Sequence, residues 1–440
     1  MAEILQPVLA LSISSALGGS ERSLLDFATR ARGLGIELRV GVPHEGPLTD
    51  ALTENDVSIV EIPELKPLLP LSQQPGKFSA LNTIMALPRF AEVGRAIGRL
   101  ASPATVLYSN SFKTHLATVW ARDFPAVWHI REYPPDSTGA VWKFLARRFP
   151  RKVIVNSGAV GDSWQVERTR VLHNGIDLDR FRPRPPTGWI HKKLGIRTED
   201  RIIGMPAVFA AWKGQLEVLS AFGRISADFL NAHLVFVGGP IYDTVAEHAF
   251  GKELAGKVRA PKNQRVHHLE FQTDVHLVYP ELCLSVHYSL RPEPFGRVIM
   301  ESMACGVPVI AVKEGGPVEI LGGERGAGSG ERSDDREAGS GKREGEEGAG
   351  SRERRAVSGE QSDDRESGSG KREWELAVGG WLCEPRNVDA LRKLMCEVLT
   401  LSPDELGAVG AKGRQRAERH FSADSFASGV VEVLKSCSRS

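Results

Sequence analysis

Short apolar runs alternate with amphipathic segments along nearly the whole chain. The runs at 8–13, 38–42, 58–62, 105–108, 126–129 and 152–155 read as strands buried on both faces. Between them, 20–34, 90–100 and 114–122 carry helical periodicity. Buried strands alternating with helices predict a parallel sheet covered on both sides. After Phe181 the run Arg182-Pro183-Arg184-Pro185-Pro186 predicts a stiff, extended linker. A second series follows, with strands at 201–205, 232–238, 266–269, 282–288 and 307–312 and helices at 214–225 and 295–304. The expectation is two doubly wound α/β domains of similar size facing a cleft. Ligands in such sheets bind outside the carboxyl ends of the strands.

One stretch breaks the pattern. From Gly322 to about Trp374 the chain is almost entirely Gly, Ser, Glu, Asp, Arg and Lys, and the segment 333–344 recurs nearly unchanged at 362–373. With so few apolar side chains it cannot offset the entropy of ordering, so a disordered surface insertion at 322–374 is expected. Two polar copies are too few for a solenoid.

Composition narrows the rest. The 440 residues are 41% hydrophobic and 25% charged, as in globular proteins, and the formal net charge of +1 gives no pull toward nucleic acid. Five scattered cysteines without a CxxC pair fit neither a disulfide framework nor a zinc site. No apolar run approaches a membrane span, and the first apolar run reads as a strand rather than a leader. A cytoplasmic protein with at most peripheral membrane contact is expected.

The chemistry concentrates between Glu293 and Glu301. Glu293 lies in a loop, Gly296 opens the helix entry, and Glu301 lies about two turns inside the helix. A helix N-terminus offers unpaired N–H groups and partial positive charge to an anion such as a diphosphate. Carboxylates on either side accept hydroxyl hydrogen bonds, and eight positions at ~1.5 Å rise span up to ~12 Å, about the reach of a nucleotide sugar. The plainer reading is that Arg297 and Glu301, spaced i,i+4, form a surface ion pair. Gly18 and Gly19, between the first strand and first helix, allow close backbone approach to a phosphate or simply make a tight turn. Lys213 opens the first helix of the second series, where it neutralises a leaving diphosphate or is merely solvated. His129 and Glu132, with Arg131 between them, end a strand toward the cleft; they serve an acceptor hydroxyl or a helix cap and a surface pair. Asn110 ends another strand on that side. Asp177 and Asp179 form no metal pair in this reading, because they adjoin the Asn174-Gly175 turn rather than a strand end.

In order and spacing these pieces resemble a family-4 glycosyltransferase of the GT-B fold, of the group 1 glycosyl transferase type. The resemblance rests on Gly18-Gly19-Ser20-Glu21, Asn174-Gly175-Ile176-Asp177, Trp212-Lys213-Gly214, and above all the stretch 291–310 followed by Gly315-Gly316-Pro317. It covers the chain except the polar insertion. It implies two Rossmann-like domains: an acceptor domain at 1–181, a linker at 182–200 and a nucleotide-sugar donor domain at 201–415. A final helix within 416–440 would cross back to the first domain. It further implies retaining sugar transfer from a UDP-, GDP- or other nucleotide sugar to a glycan, lipid-linked or small-molecule acceptor, in cell-surface polysaccharide or glycoconjugate synthesis, with no cofactor and no metal. Glu293 would then hold the donor sugar's hydroxyls and Glu301 the ribose. Phe295, Gly296, Arg297, Gly315 and Gly316 would line the donor, Lys213 would meet the diphosphate, and Gly18 and Gly19 would lie beneath it. His129, Glu132, Asn110 and Arg131 would face the acceptor. One departure stands out. The family carries an arginine about five positions before the lysine, and this chain has Val208. That absence keeps two other readings open: a catalytically impaired nucleotide-sugar-binding subunit, and a nucleotide-sugar epimerase.

Overall fold

The computed structural model describes residues 5–72, 86–241, 244–322 and 373–437. Of the insertion expected at 322–374, residues 323–372 lie outside them. The first sheet comprises β1 (Gln6–Leu11), β2 (Ile36–Val42), β3 (Ser58–Glu61), β4 (Val106–Ser109), β5 (Ala126–Ile130), β6 (Lys152–Val155) and β7 (Thr169–Val171). Its order is β3-β2-β1-β4-β5-β6-β7, parallel throughout. The second comprises β8 (Arg201–Pro206), β9 (Ala232–Val237), β10 (Val266–Leu269), β11 (Leu284–His287), β12 (Val309–Val312), β13 (Trp374–Ala377) and β14 (Gly380–Cys383). Its order, β10-β9-β8-β11-β12-β14-β13, repeats the first over five strands, but its last two are exchanged, so that β13 takes the edge and runs antiparallel to β14.

The central strands β4, β5, β11 and β12 are buried at every position because helices cover both faces. This is the physical origin of the unbroken apolar runs. The edge strands β7 and β13 are partly exposed and carry no such run, which hides them in the sequence. The segment expected as one helix over 20–34 divides into an α-helix, Gly19–Ala31, and a 3-10 turn, Arg32–Leu34. Gly35, at φ 81°, ends it.

Each sheet reverses direction once, between β1 and β4 and between β8 and β11. A crevice opens outside the strand ends at such a point. Every candidate site residue of the sequence falls at a carboxyl end or in the helix that follows.

The last helix, Ala423–Lys435, packs Phe426, Val430 and Leu434 into one apolar cluster with Val8, Phe27, Tyr108 and Ile154 of the first half. The chain returns there through Asn174-Gly175-Ile176. Ile176 N–H donates to the Phe421 carbonyl at 2.8 Å, and Ala423 N–H to the Ile176 carbonyl at 2.9 Å. Gly175 must be glycine for this contact, since a Cβ would stand 2.5 Å from Ala423 Cα. Among the described residues no helix is long and apolar enough to cross a membrane.

Candidate active site

Glu293 is the centre of the second-half site. β11 ends at His287, and the loop beyond it turns Glu293 back over the strand end. Three donors converge on a single carboxylate oxygen, Oε2: Lys213 Nζ at 2.7 Å, Ser289 Oγ at 2.8 Å and His287 Nε2 at 3.4 Å. Burial opposes the charge on Glu293. Lys213 and His287 outweigh it and hold the carboxyl well below the usual carboxylate range.

Lys213 closes the 3-10 turn Ala211–Lys213, and its Nζ lies 4.0 Å from the Trp212 ring centroid. Gly214 next to it has φ +77°, and a Cβ there would lie 2.0 Å from the Tyr288 carbonyl oxygen. Glycine therefore lets the Trp-Lys-Gly turn press onto the end of β11, which carries the lysine to Glu293.

The loop after β12 completes this side. Gly316 N–H donates to the Glu293 carbonyl at 2.9 Å. Gly315, at φ +70°, has its Cα face 2.9 Å from the Tyr133 hydroxyl and 2.4 Å from the Glu293 carbonyl oxygen, measured from where a Cβ would stand. Tyr133 belongs to the first half, so the glycine pair sits directly between the halves.

Glu301 lies in the helix Arg297–Ala304, which Gly296 enters at φ +105°. The pairing with Arg297 is not on the surface: the two side chains are 13% and 5% exposed. Arg297 Nε donates to Glu301 Oε1 at 2.9 Å, and Tyr279 Oη donates to Glu301 Oε2 at 2.9 Å. Arg297 Nη1 also reaches across to Asp26 Oδ2 at 2.8 Å. Burial disfavours the Arg297 charge, but Asp26 and Glu301 offset it and raise its pKa. Phe295 is buried, with its ring centroid 5.8 Å from that of His173 and 6.2 Å from that of Phe421. Its side chain is thus packing, and only its backbone faces the helix entry.

In the first half, Gly18 caps the helix Gly19–Ala31 in ordinary extended backbone. Gly19 is exposed, and a Cβ there would meet nothing within 4 Å. Packing therefore does not require a glycine at 19. Asn110 and Arg131 form one network: Arg131 Nε donates to Asn110 Oδ1 at 2.6 Å, and Arg131 Nη1 donates to Asn174 Oδ1. His129 is wholly buried beneath it, its Nδ1 2.5 Å from Tyr108 Oη and 3.1 Å from Arg131 Nη2. Burial, then Arg131, pushes its pKa well down. Glu132 is exposed at the loop start, with its carbonyl accepting from Trp164 Nε1 at 2.8 Å.

The structure thus joins Glu293 with Lys213, Gly315 and Gly316, joins Glu301 with Arg297, and joins Asn110, Arg131 and His129. Several participants escaped the sequence reading. His287, Ser289 and Tyr279 lie in or beside apolar runs that read as core, and polar residues at those positions are the only signal. Asp26 was hidden on an ordinary amphipathic helix. Glu319, in the helix Gly316–Leu321, accepts from the N–H groups of Gly158 and Ala159 at 2.9 and 2.8 Å and faces His173 Nε2 at 3.0 Å. A carboxylate of one half thereby caps a helix start, Gly158–Trp164, of the other. Among the described residues no group of three or more His, Cys, Asp or Glu is arranged to hold a metal ion.

Comparison with solved structures places this architecture. HepE of Anabaena, crystallised in complex with UDP and glucose, superposes with a TM-score of 0.71 over 98% of this chain and 99% of that chain, at 23% identity. WaaG, a glycosyltransferase involved in lipopolysaccharide biosynthesis, gives a TM-score of 0.60 over 97% and 99% at 14% identity. The fold is GT-B. Within it, residues 189–330 match the family model of the group 1 glycosyl transferases. Over 165 residues the chain is 32% identical to a D-inositol 3-phosphate glycosyltransferase of Mycolicibacterium gilvum, covering 36% of this chain and 35% of the relative. The chain spans between about a third and about two fifths of the length of the curated relatives it matches. The matched stretch contains Lys213, Glu293, Arg297, Glu301, Gly315 and Gly316, whereas the first-half candidates lie outside it.

Proposed function

We propose that this chain is a retaining, metal-independent glycosyltransferase that moves a sugar from a nucleotide-diphosphate sugar to a glycan, lipid-linked or small-molecule acceptor. The observation that carries this reading is the Glu293 cluster at the mouth of the helix Arg297–Ala304. There a carboxylate kept ionised by Lys213 lies beside the Gly315-Gly316 loop at the edge of the crevice. A carboxylate so held accepts hydrogen bonds from sugar hydroxyls. The lysine beside it supplies positive charge where a leaving diphosphate develops its negative charge, and such charge stabilisation is worth most in a partly dry crevice. Glu301, one turn into the same helix and held by Arg297 and Tyr279, would meet the ribose hydroxyls. Asn110, Arg131 and Glu132 line the acceptor side, with His129 holding Arg131 from beneath. The match to group 1 glycosyl transferases over the donor-side residues supports this assignment, as does the UDP and glucose bound to a protein of the same fold. We assign family-4 membership, a role in cell-surface polysaccharide or glycoconjugate synthesis and a cytoplasmic setting on the same reading.

The test is a thermal-shift panel of UDP-, GDP- and ADP-sugars, since a ligand that binds the folded protein raises its melting temperature by mass action. The reading expects a clear shift with at least one donor. It also expects acceptor-dependent release of nucleoside diphosphate in the presence of EDTA, with the product's anomeric configuration matching the donor's by NMR. A flat response to every donor would sink it.

Val208 motivates a second reading, a nucleotide-sugar-binding subunit without turnover, because the donor side lacks one cation of the expected pair. Donor binding without release of nucleoside diphosphate under any acceptor would favour it. Release that yields an isomerised free sugar nucleotide would point to an epimerase.

A further inference from the structure

The cations on the donor side are already engaged. Lys213 is bonded to Glu293, Arg297 is divided between Glu301 and Asp26, and position 208 is a valine. One half-buried guanidinium stands apart from this pairing. Arg22, in the helix Gly19–Ala31, makes no side-chain hydrogen bond or ion pair among the described residues, although it lies in the field of Glu301, Arg297 and Asp26. Its position follows from the helix. Asp26 is one turn further along, and i,i+4 residues share a face. Asp26 touches Arg297 across the crevice, so Arg22 projects from the same face, one turn nearer Gly19, where the space above the backbone is open.

A half-buried cation without a partner costs free energy, because its lost hydration is not replaced. Asp26 is the natural local partner, but Arg297 holds that carboxylate. Arg291 also has no side-chain partner among the described residues, yet it is exposed and stays hydrated, so it carries no comparable signal.

We infer that Arg22 is a donor-binding residue, a first-half cation that closes on a phosphate of the nucleoside diphosphate and takes the place of the side chain missing at position 208. The guanidinium provides a planar, permanently charged fork suited to two phosphate oxygens. A phosphate seated between Arg22 and the entry of the helix Arg297–Ala304 would draw the two halves onto the donor. This inference rests on the proposed nucleotide-sugar reading and assigns the phosphate contact within it.

The experiment measures calorimetric affinity of the full chain for UDP, GDP and ADP and for the matching nucleosides, in wild type, Arg22→Gln and Arg22→Lys. Unliganded melting temperatures at or above that of wild type establish that the variants fold. For the nucleotide that binds best, Arg22→Gln should weaken the diphosphate about ten- to hundredfold, the usual range for a lost hydrogen bond to a charged group. Affinity for the nucleoside should stay within about twofold, and Arg22→Lys should recover part of the loss. If wild type binds the diphosphate and Arg22→Gln binds it equally well, Arg22 has no such role while the donor reading stands. If Arg22→Gln weakens nucleoside and diphosphate alike, the contact is not with phosphate and the inference fails. Should wild type bind none of the nucleotides, the donor reading fails and this inference with it.

Discussion

Glu293 gathers three donors on one oxygen, which makes its charge part of what holds the fold. Its folded-state pKa is depressed, so its contribution to stability is present above the ordinary glutamate value of about 4.3 and is lost as pH falls toward the lower folded value. Glu293→Gln removes the charge at every pH and leaves Lys213 partly buried without its counterion. The melting temperature of Glu293→Gln should therefore lie below that of wild type at pH 7, and the gap should narrow as the pH is lowered below about 4. Parallel scanning calorimetry at several pH values checks this; a gap independent of pH would mean that the carboxylate is not ionised in the folded protein. Under the proposed function the same variant loses two to three orders of magnitude in turnover, about 3–4 kcal/mol, as other preorganised charge-stabilising groups do.

At the scale of elements, function depends on turns that only glycine permits. The loop carrying Gly315 and Gly316 lies against the Glu293 backbone, with the Gly315 φ of +70° and no space for a side chain. Gly315→Ala adds a Cβ within 2.4 Å of the Glu293 carbonyl oxygen, so the loop must move. Strain of this kind costs about 1–3 kcal/mol. The variant should lose donor-induced thermal stabilisation even though no charged group is changed. The helix Gly316–Leu321 that follows also sets Glu319 on the start of the helix Gly158–Trp164. Glu319→Ala removes a charge-assisted cap from two amides, worth about 1–2 kcal/mol. Hydrogen exchange at Gly158 and Ala159 should accelerate by about five- to thirtyfold if opening is local, with exchange in β1 unchanged.

The whole molecule is held by contacts that ignore sequence order. The last helix completes the core of the first half, so residues near the chain end govern the folding of residues near its start. Phe426 is buried among Val8, Phe27 and Tyr108 in that core. Phe426→Ala should cost about 3–5 kcal/mol, read as early unfolding of the first half by near-UV circular dichroism or exchange in β1. A second tie, Asp26 to Arg297, spans the crevice. Asp26→Asn should leave each half folded and loosen their approach, seen as a larger radius of gyration by small-angle scattering in the absence of nucleotide.

The amino-acid sequence by itself determined the two α/β series, the positions of most strands along the chain and the Glu293–Glu301 stretch. Strands buried on both faces must be written as apolar runs, and tight turns such as those at Gly214 and Gly315 need their glycines. The polarity of the stretch 322–374 was equally plain, because apolar side chains are the only source of a core. Tertiary structure alone decided which polar residues meet. Nothing local distinguishes Arg297–Glu301 as a surface pair from the buried, four-residue contact with Asp26 and Tyr279, since its third and fourth members come from distant segments. His129 reads like a cleft residue at a strand end, yet the network of Tyr108 and Arg131 closes over it. His287 and Ser289 became partners of Glu293 only when β11 ended beneath its loop. Local spacing encodes the backbone, because helix and strand periods act over a few residues. The pairing of charges is set by how two sheets and their returning helix come together, and that is a property of the whole chain.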